Sequence, residues 1–229
     1  MTHSSHSGPS RTLTPTDRTR LRRMKEKASF ERADLEVILD TGFVCHLGVT
    51  VDGGPMVVPT VYGRDERHLY VHGSVASRSL AADPDAPICV TVTHVDAVVL
   101  ARSVFEHSVN YRCAMIYGVP RRITDDAEKT EALRILTEHT APGQWDYARR
   151  PNRKELAATT VLALSLDEAS VKISAGPPDD ADSPDAELGL WAGTLPLTSR
   201  WGAPTADPAL PSGITAPAHI AARAGTRQG

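Results

Sequence analysis

The tetrapeptide Asp52-Gly53-Gly54-Pro55 stands between two apolar runs, Phe43–Val51 and Met56–Tyr62, and constrains the fold more than any other stretch of the chain. A short glycine-bearing link between two β-branched runs of period two is the mark of an antiparallel hairpin. The same grammar continues downstream. Arg64–Arg67 predicts a second turn and His68–His72 a returning strand. Ile88–His94 and Ala97–Ala101 read as a pair turning about Val95-Asp96. Asn110–Ile123 reads as one long strand with a bulge at Gly118. Thr159–Leu166 and Ser170–Ile173 flank Asp167-Glu168. Antiparallel strands meandering through such short turns suggest a barrel. Helical patterns flank them: Glu31–Leu39, stopped by Gly42; Asp125–His139, with Ala132, Leu133 and Leu136 on one face; and a short helix through Ala158 opened by the capping box Asn152-Arg-Lys-Glu155.

Composition sets the outer bounds. A chain of 229 residues with 41% hydrophobic and 23% charged residues is ordinary for a globular protein with a sizeable core. A net charge of −3 argues against a dedicated nucleic-acid binder. No apolar run approaches the roughly 18 residues of a membrane helix, and Met1–Pro9 has no apolar secretory region. Cys45, Cys89 and Cys113 form no CxxC and sit in apolar runs, which predicts reduced core residues of a cytoplasmic protein. No Cys/His spacing supports a metal site. Residues 1–28 read as a flexible arm with a basic run from Arg18 to Lys27, 29–197 as one folded domain, and 198–229, where periodicity vanishes, as a disordered tail.

The stretch Leu69-Tyr-Val-His-Gly-Ser-Val-Ala-Ser-Arg-Ser-Leu80 carries the chemistry. It starts as a strand, breaks alternation at Gly73, and predicts a tight turn into one or two turns of helix before Asp83-Pro84. A small-residue turn opening a helix offers unpaired N–H groups to an anion; Ser74, Ser77 and Arg78 add hydroxyls and a guanidinium fork suited to phosphate. A capped surface helix with a solvated arginine is the plain alternative.

Met56-Val-Val-Pro-Thr-Val-Tyr62, His68–Ser74, Ser77-Arg78, Asn110-Tyr-Arg-Cys-Ala-Met-Ile-Tyr-Gly118, Lys154-Glu-Leu-Ala-Ala158 and Trp191-Ala-Gly-Thr-Leu-Pro-Leu197, in that order, resemble the pyridoxamine 5′-phosphate oxidase-like flavoproteins, and within them the nitroimidazole-resistance-related branch. The resemblance implies a mainly β fold with flanking helices: a six-stranded antiparallel split β-barrel that forms a homodimer with two FMN sites at the subunit interface. It implies that Val58, Pro59 and Thr60 run beside the isoalloxazine, that Ser77 and Arg78 bind the phosphate, and that Tyr111 and Arg112 come from a later strand. Those two alternate, so one of them, Arg112, is expected to reach the phosphate. The C-terminal Arg/His substrate signature of true pyridoxamine phosphate oxidases is absent, which argues against that substrate. His72 is the expected catalytic histidine, facing the flavin, unless it merely orders the turn. His107 is expected to position the Asn110–Arg112 strand.

The resemblance implies an FMN-binding oxidoreductase exchanging hydride between a reduced donor and a small organic substrate. Three other readings stay open: a haem-binding or haem-degrading split barrel with His72 or His107 as axial ligand, a deazaflavin-dependent reductase, and a non-catalytic flavin-binding protein.

Overall fold

The computed structural model describes residues 10–81 and 83–228; expectations on residues 1–9 lie outside the described residues. In chain order the elements are β1 (Ala28–Ser29), α1 (Arg32–Thr41), β2 (Val44–Val51), β3 (Gly54–Arg64), β4 (His68–Ser74), β5 (Ile88–Leu100), β6 (Ser108–Gly118), β7 (Arg121–Arg122), α2 (Asp126–Thr140), α3 (Gln144–Tyr147), α4 (Arg153–Ala157), β8 (Thr159–Ser165), β9 (Ala169–Ser174), β10 (Gly193–Pro196) and α5 (Ala218–Ala221). The strands form one antiparallel path, β1-β9-β6-β5-β2-β3-β4-β8-β7, with β10 added along the far half of β5. Six of them run for seven residues or more: β2, β3, β4, β5, β6 and β8.

The β2–β3 hairpin forms as its sequence dictates. Asp52 and Gly53 both take positive φ, 52° and 75°, as a two-residue turn matched to right-handed strand twist requires. Farther along, the sheet curls until β8 lies against β6 without pairing to it. A Cβ at Gly118 would stand 3.0 Å from Leu164 Cδ1, so glycine permits that approach. The result is a split barrel. Leu47, Leu69, Val90, Ile116 and Leu164 fill it, with Leu35, Ile38 and Leu39 of α1 capping one end. A second cluster, with Tyr70, Ile123, Leu136 and Val161, seats α2 on the outside. Gly63 is essential there, because a Cβ would lie 2.8 Å from the Leu136 Cα.

Four expectations give way. Ile88–Leu100 is one strand rather than two, because β6 pairs with both halves; Asp96 is absorbed as a register shift between Val95 and Ala97. Gly118 ends β6 opposite Ile88 and is a point of close contact rather than a bulge. Ser74–Leu80 forms turns and no helix: Ser77 and Leu80 N–H close turns three residues back on Ser74 O and Ser77 O, Ala81 N–H closes one α-type ring on Ser77 O, and one such ring cannot offset the cost of nucleating a helix before Asp83-Pro84 ends the segment. Lastly, residues 198–228 are tied down. Trp201 stacks on Phe43 at 5.6 Å between centroids and carries the Arg223 guanidinium 4.0 Å from its ring centre. Arg223 also donates to Thr140 O at 2.5 Å, and Trp201 N–H pairs with Thr226 O. The segment before β1 is anchored too: Leu13 is buried, and Thr16 and Arg18 both donate to Glu168.

Candidate functional site

The 74–80 turn leaves backbone donors unpaired without forming a helix. Val75 N–H donates to Ala158 O, Ala76 N–H to Ser74 Oγ and Ser77 N–H to Ser74 O. The next two amides, of Arg78 and Ser79, have no acceptor among the described residues. Ser77 and Ser79 share a single hydroxyl hydrogen bond of 3.0 Å, leaving the pair capacity for another partner. Arg78 reaches Asp52 Oδ2 at 2.5 Å, with both side chains largely in solvent, a pair weak enough to exchange for a better anion. The turn borders a cleft of about 440 Å³ that includes Thr50, Asp52, Gly53 and Asp83. Arg122 of β7 fixes the far end of the turn, donating to Leu80 O at 2.7 Å and to Thr160 Oγ1 at 3.0 Å. Sequence reading passed over Arg122; its only signal was the basic pair directly after Pro120.

From this turn a flat face leads along the outside of β2 and β3. Alternation splits the three residues expected beside a flavin ring: Pro59 points outward, opposite His46, whereas Val58 packs on the core and Thr60 opposes the buried Cys45. Val57 and Gly48 make the rung nearer the turn, Val61 and Val44 the rung beyond. His46 lies five positions before Val51, so His46 and Pro59 lie about 17 Å along the strands from the hairpin tip. His72 lies one step past the Val71–Tyr62 register and so falls beside Val61. Its Nδ1 is buried without a partner, and burial lowers its pKa.

Tyr111 and Arg112 do take opposite faces, but Arg112 does not reach the turn within one chain. Its guanidinium is bidentate to Asp96, at 2.9 and 3.0 Å. Its register partner is His94, midway along the β5–β6 ladder and six pairs from Ile88 and Gly118. The carboxylate supplied by the register shift captures it. Tyr111 faces outward, with Lys172 Nζ 5.7 Å from its ring centre.

Four other histidines are oriented by ring hydrogen bonds. Nε2 of His94 donates to Ile38 O, that of His139 to Gly42 O, and that of His219 bonds the Gln144 amide oxygen. His107 is turned the other way: its Nδ1 donates to Ser103 O at 2.9 Å, leaving Nε2 outward. No group of three or more His, Cys, Asp or Glu side chains gathers to hold a metal ion among the described residues.

A family model described as pyridoxamine 5′-phosphate oxidase matches residues 31–173, which is most of the barrel. The chain belongs to that family. Among solved structures, the flavocytochrome Anf3 from Azotobacter vinelandii is 36% identical, over 93% of this chain and 100% of that one, with a TM-score of 0.87. A FAD- and haem-binding protein from Mycobacterium smegmatis is 40% identical, over 88% and 98% respectively, with a TM-score of 0.82. A protein assigned to 5-nitroimidazole antibiotic resistance in Bacteroides thetaiotaomicron shares the fold at 22% identity and a TM-score of 0.54, over 64% of this chain and 86% of that one. No curated protein sequence matches the chain. These two similarities, at 93% and 88% of the chain, reach beyond the 31–173 matched by the family model. Among the described residues no helix is long and apolar enough to cross a membrane.

Proposed function

We propose that the chain is a flavin-dependent oxidoreductase that acts on a small organic substrate as a homodimer. The observation that carries this reading is the 74–80 turn, with two adjacent free amides, two hydroxyls and one loosely held guanidinium converging beside an open cleft. That donor set fits a phosphate monoester. FMN and FAD both present a ribityl phosphate, so the turn recognises the part they share, and FMN is the smallest ligand that satisfies it. The outward stripe of Val57, Pro59 and Val61 offers a flat apolar bed for the ring system, with His72 at its far end. A bound flavin would accept a hydride at N5 from a reduced donor and return the electrons to an acceptor. The protein's part is to anchor the phosphate, shield one ring face and hold a neutral imidazole against it.

The test compares FMN with riboflavin. Arg78→Ala removes a charge-assisted contact worth about 1.5–3 kcal/mol, so FMN affinity should fall on the order of 10- to 100-fold. Riboflavin, lacking the phosphate, should bind wild type and variant alike. Unchanged FMN affinity would remove the turn from the site.

A second reading, that the chain also carries haem, is supported by the two relatives that are 36% and 40% identical, one a flavocytochrome and the other a FAD- and haem-binding protein. Haem would accept electrons singly where flavin takes a pair. The visible spectrum of the purified protein separates a flavin-only protein from one holding both.

A further inference from the structure

The segment 198–228 carries no apolar period, yet it helps to bound a cavity. With the end of α1 and the β5–β6 ladder it borders about 380 Å³, lined by Thr41, Thr93, Asp96 and Arg112 on the barrel side and by Ser199 and Arg227 of the segment. Main-chain bonds hold the segment in place. Leu197 N–H donates to Asp96 O at 2.9 Å, which ties its start to the register shift in β5. Gln228 N–H donates to Ser199 O at 3.0 Å and Gly225 N–H to Trp201 O at 2.8 Å, so its two ends run side by side. A space of this size within a fixed frame admits a small organic molecule.

Charge around this cavity does not cancel. Asp96 is bidentate to Arg112, and Asp40, which borders an adjoining cavity of about 290 Å³, is held by Arg64 at 2.7 Å. Arg223 lies on the Trp201 ring and donates to Thr140 O. Arg227 lines both cavities, and its guanidinium has no partner among the described residues. Two guanidinium groups against one carboxylate leave the larger cavity one positive charge in excess. The hydroxyls of Thr93 and Ser199 are likewise without a partner among the described residues. One free guanidinium fork and two free hydroxyls suit a carboxylate, and one excess charge balances one anion. A phosphate dianion would set its second charge against Asp96.

The cavity also stands where a flavin ring on the outward stripe would end. Thr91 pairs with His46, so Thr93 falls on the rung of Val44 and Val61, the end of the stripe at which His72 lies. Val44 is seven positions before Val51, about 24 Å along the strand from the hairpin tip that Arg78 reaches. We infer that this cavity is the substrate subsite and that it takes a small organic monocarboxylate, with Arg227 binding the carboxylate and Val95 and Leu197 bordering the organic part. The inference rests on the flavin reading above and names its substrate class. Ser199 and Arg227 lie beyond residue 173, where the family match ends, so the barrel that the family model matches does not by itself supply the anion's partner.

Benzoate, benzamide and phenyl phosphate, titrated calorimetrically into the full-length protein with and without FMN, test this. Benzoate should bind in preference to its uncharged analogue benzamide and to phenyl phosphate. Arg227→Gln, a change at an exposed side chain, should lower benzoate affinity on the order of 10- to 100-fold. Benzoate should also perturb the visible spectrum of bound FMN. Absence of benzoate binding, equal affinity in wild type and Arg227→Gln, or tighter binding of phenyl phosphate overturns the assignment. Benzoate that binds through Arg227 yet leaves the spectrum of bound FMN unchanged overturns the cavity's place beside the ring. A protein that takes up benzoate through Arg227 but no FMN overturns the flavin reading, and with it the substrate role, while leaving the carboxylate site itself established.

Discussion

His72 shows how much a residue's surroundings decide its chemistry. Its position at a strand end beside the turn was visible in the sequence; its burial and its unpartnered Nδ1 were not, because both depend on strands distant in sequence. Desolvation disfavours the charged ring, so the folded pKa lies below the ordinary value of 6.5. The stability linked to it is therefore intact above about 6.5 and is lost as pH falls through the lower folded value. His139, also lowered mainly by burial, acts in the same direction. Melting temperature followed from pH 8 to pH 5 should decline for wild type and decline less for His72→Gln, the difference isolating His72. Equal slopes would show that His72 titrates as freely as in the unfolded chain. A neutral His72 at pH 7 would offer a flavin a hydrogen bond rather than a charge. Gly63 makes the matching point for packing. Its Cβ would meet Leu136 Cα at 2.8 Å and Ile135 O at 3.0 Å, backbone atoms that cannot swing aside. Gly63→Ala should cost about 1–3 kcal/mol as α2 is pushed from the sheet, read as a lowered denaturation midpoint.

Elements whose signals are local were legible in advance; those set by a neighbour were not. The capping box at α4 is present as read: Asn152 Oδ1 accepts from Lys154 and Glu155 N–H, and Glu155 returns the bond to Asn152 N–H. Arg149 and that N–H hold the Glu155 carboxyl down at about 2. The consequence reaches the 74–80 turn, since Ala158, the C-cap of α4, accepts the Val75 N–H with which that turn starts. Asn152→Ala should cost about 1 kcal/mol of stability and also weaken FMN binding, as the turn loses part of its support. Calorimetry of stability and of FMN binding on one variant checks both; lost stability with unaltered FMN affinity would separate α4 from the site. The Glu155 contribution is present above about 4.5 and disappears as pH falls toward 2. By contrast, the joining of Ile88–Leu100 into one strand and the capture of Arg112 by Asp96 depend on the β5–β6 register. No local pattern encodes either.

At the scale of the whole molecule, the barrel was readable because buried and exposed positions alternate along β2, β3 and β5, and the C-terminal segment was not because it docks through isolated side chains. Trp201 between Phe43 and Arg223 carries no period. The outward face that includes Val57, Pro59 and Val61 extends across β5 and β6. On it Val57, Gly48, Cys89 and Tyr117 make one rung, Pro59, His46, Thr91 and Met115 the next, and Val61, Val44, Thr93 and Cys113 a third. Across β2, β3, β5 and β6 these rungs carry no carboxylate, lysine or arginine, and Val57 is 65% exposed; on β9 the third rung ends at Lys172, paired with Cys113. A charge-free sheet face of this extent suits an isologous contact with a second copy, where identical apolar rungs can pack across a two-fold axis. Light scattering should therefore give twice the chain mass. Val44→Asp with Val57→Asp places carboxylates on the surface without touching the core, and should yield a folded monomer. If the second copy also covers the flavin ring, that monomer should bind FMN less tightly, and riboflavin should weaken alongside because the loss concerns the ring rather than the phosphate. A wild-type monomer that binds FMN tightly would leave this face for some other partner and confine the flavin site to a single chain.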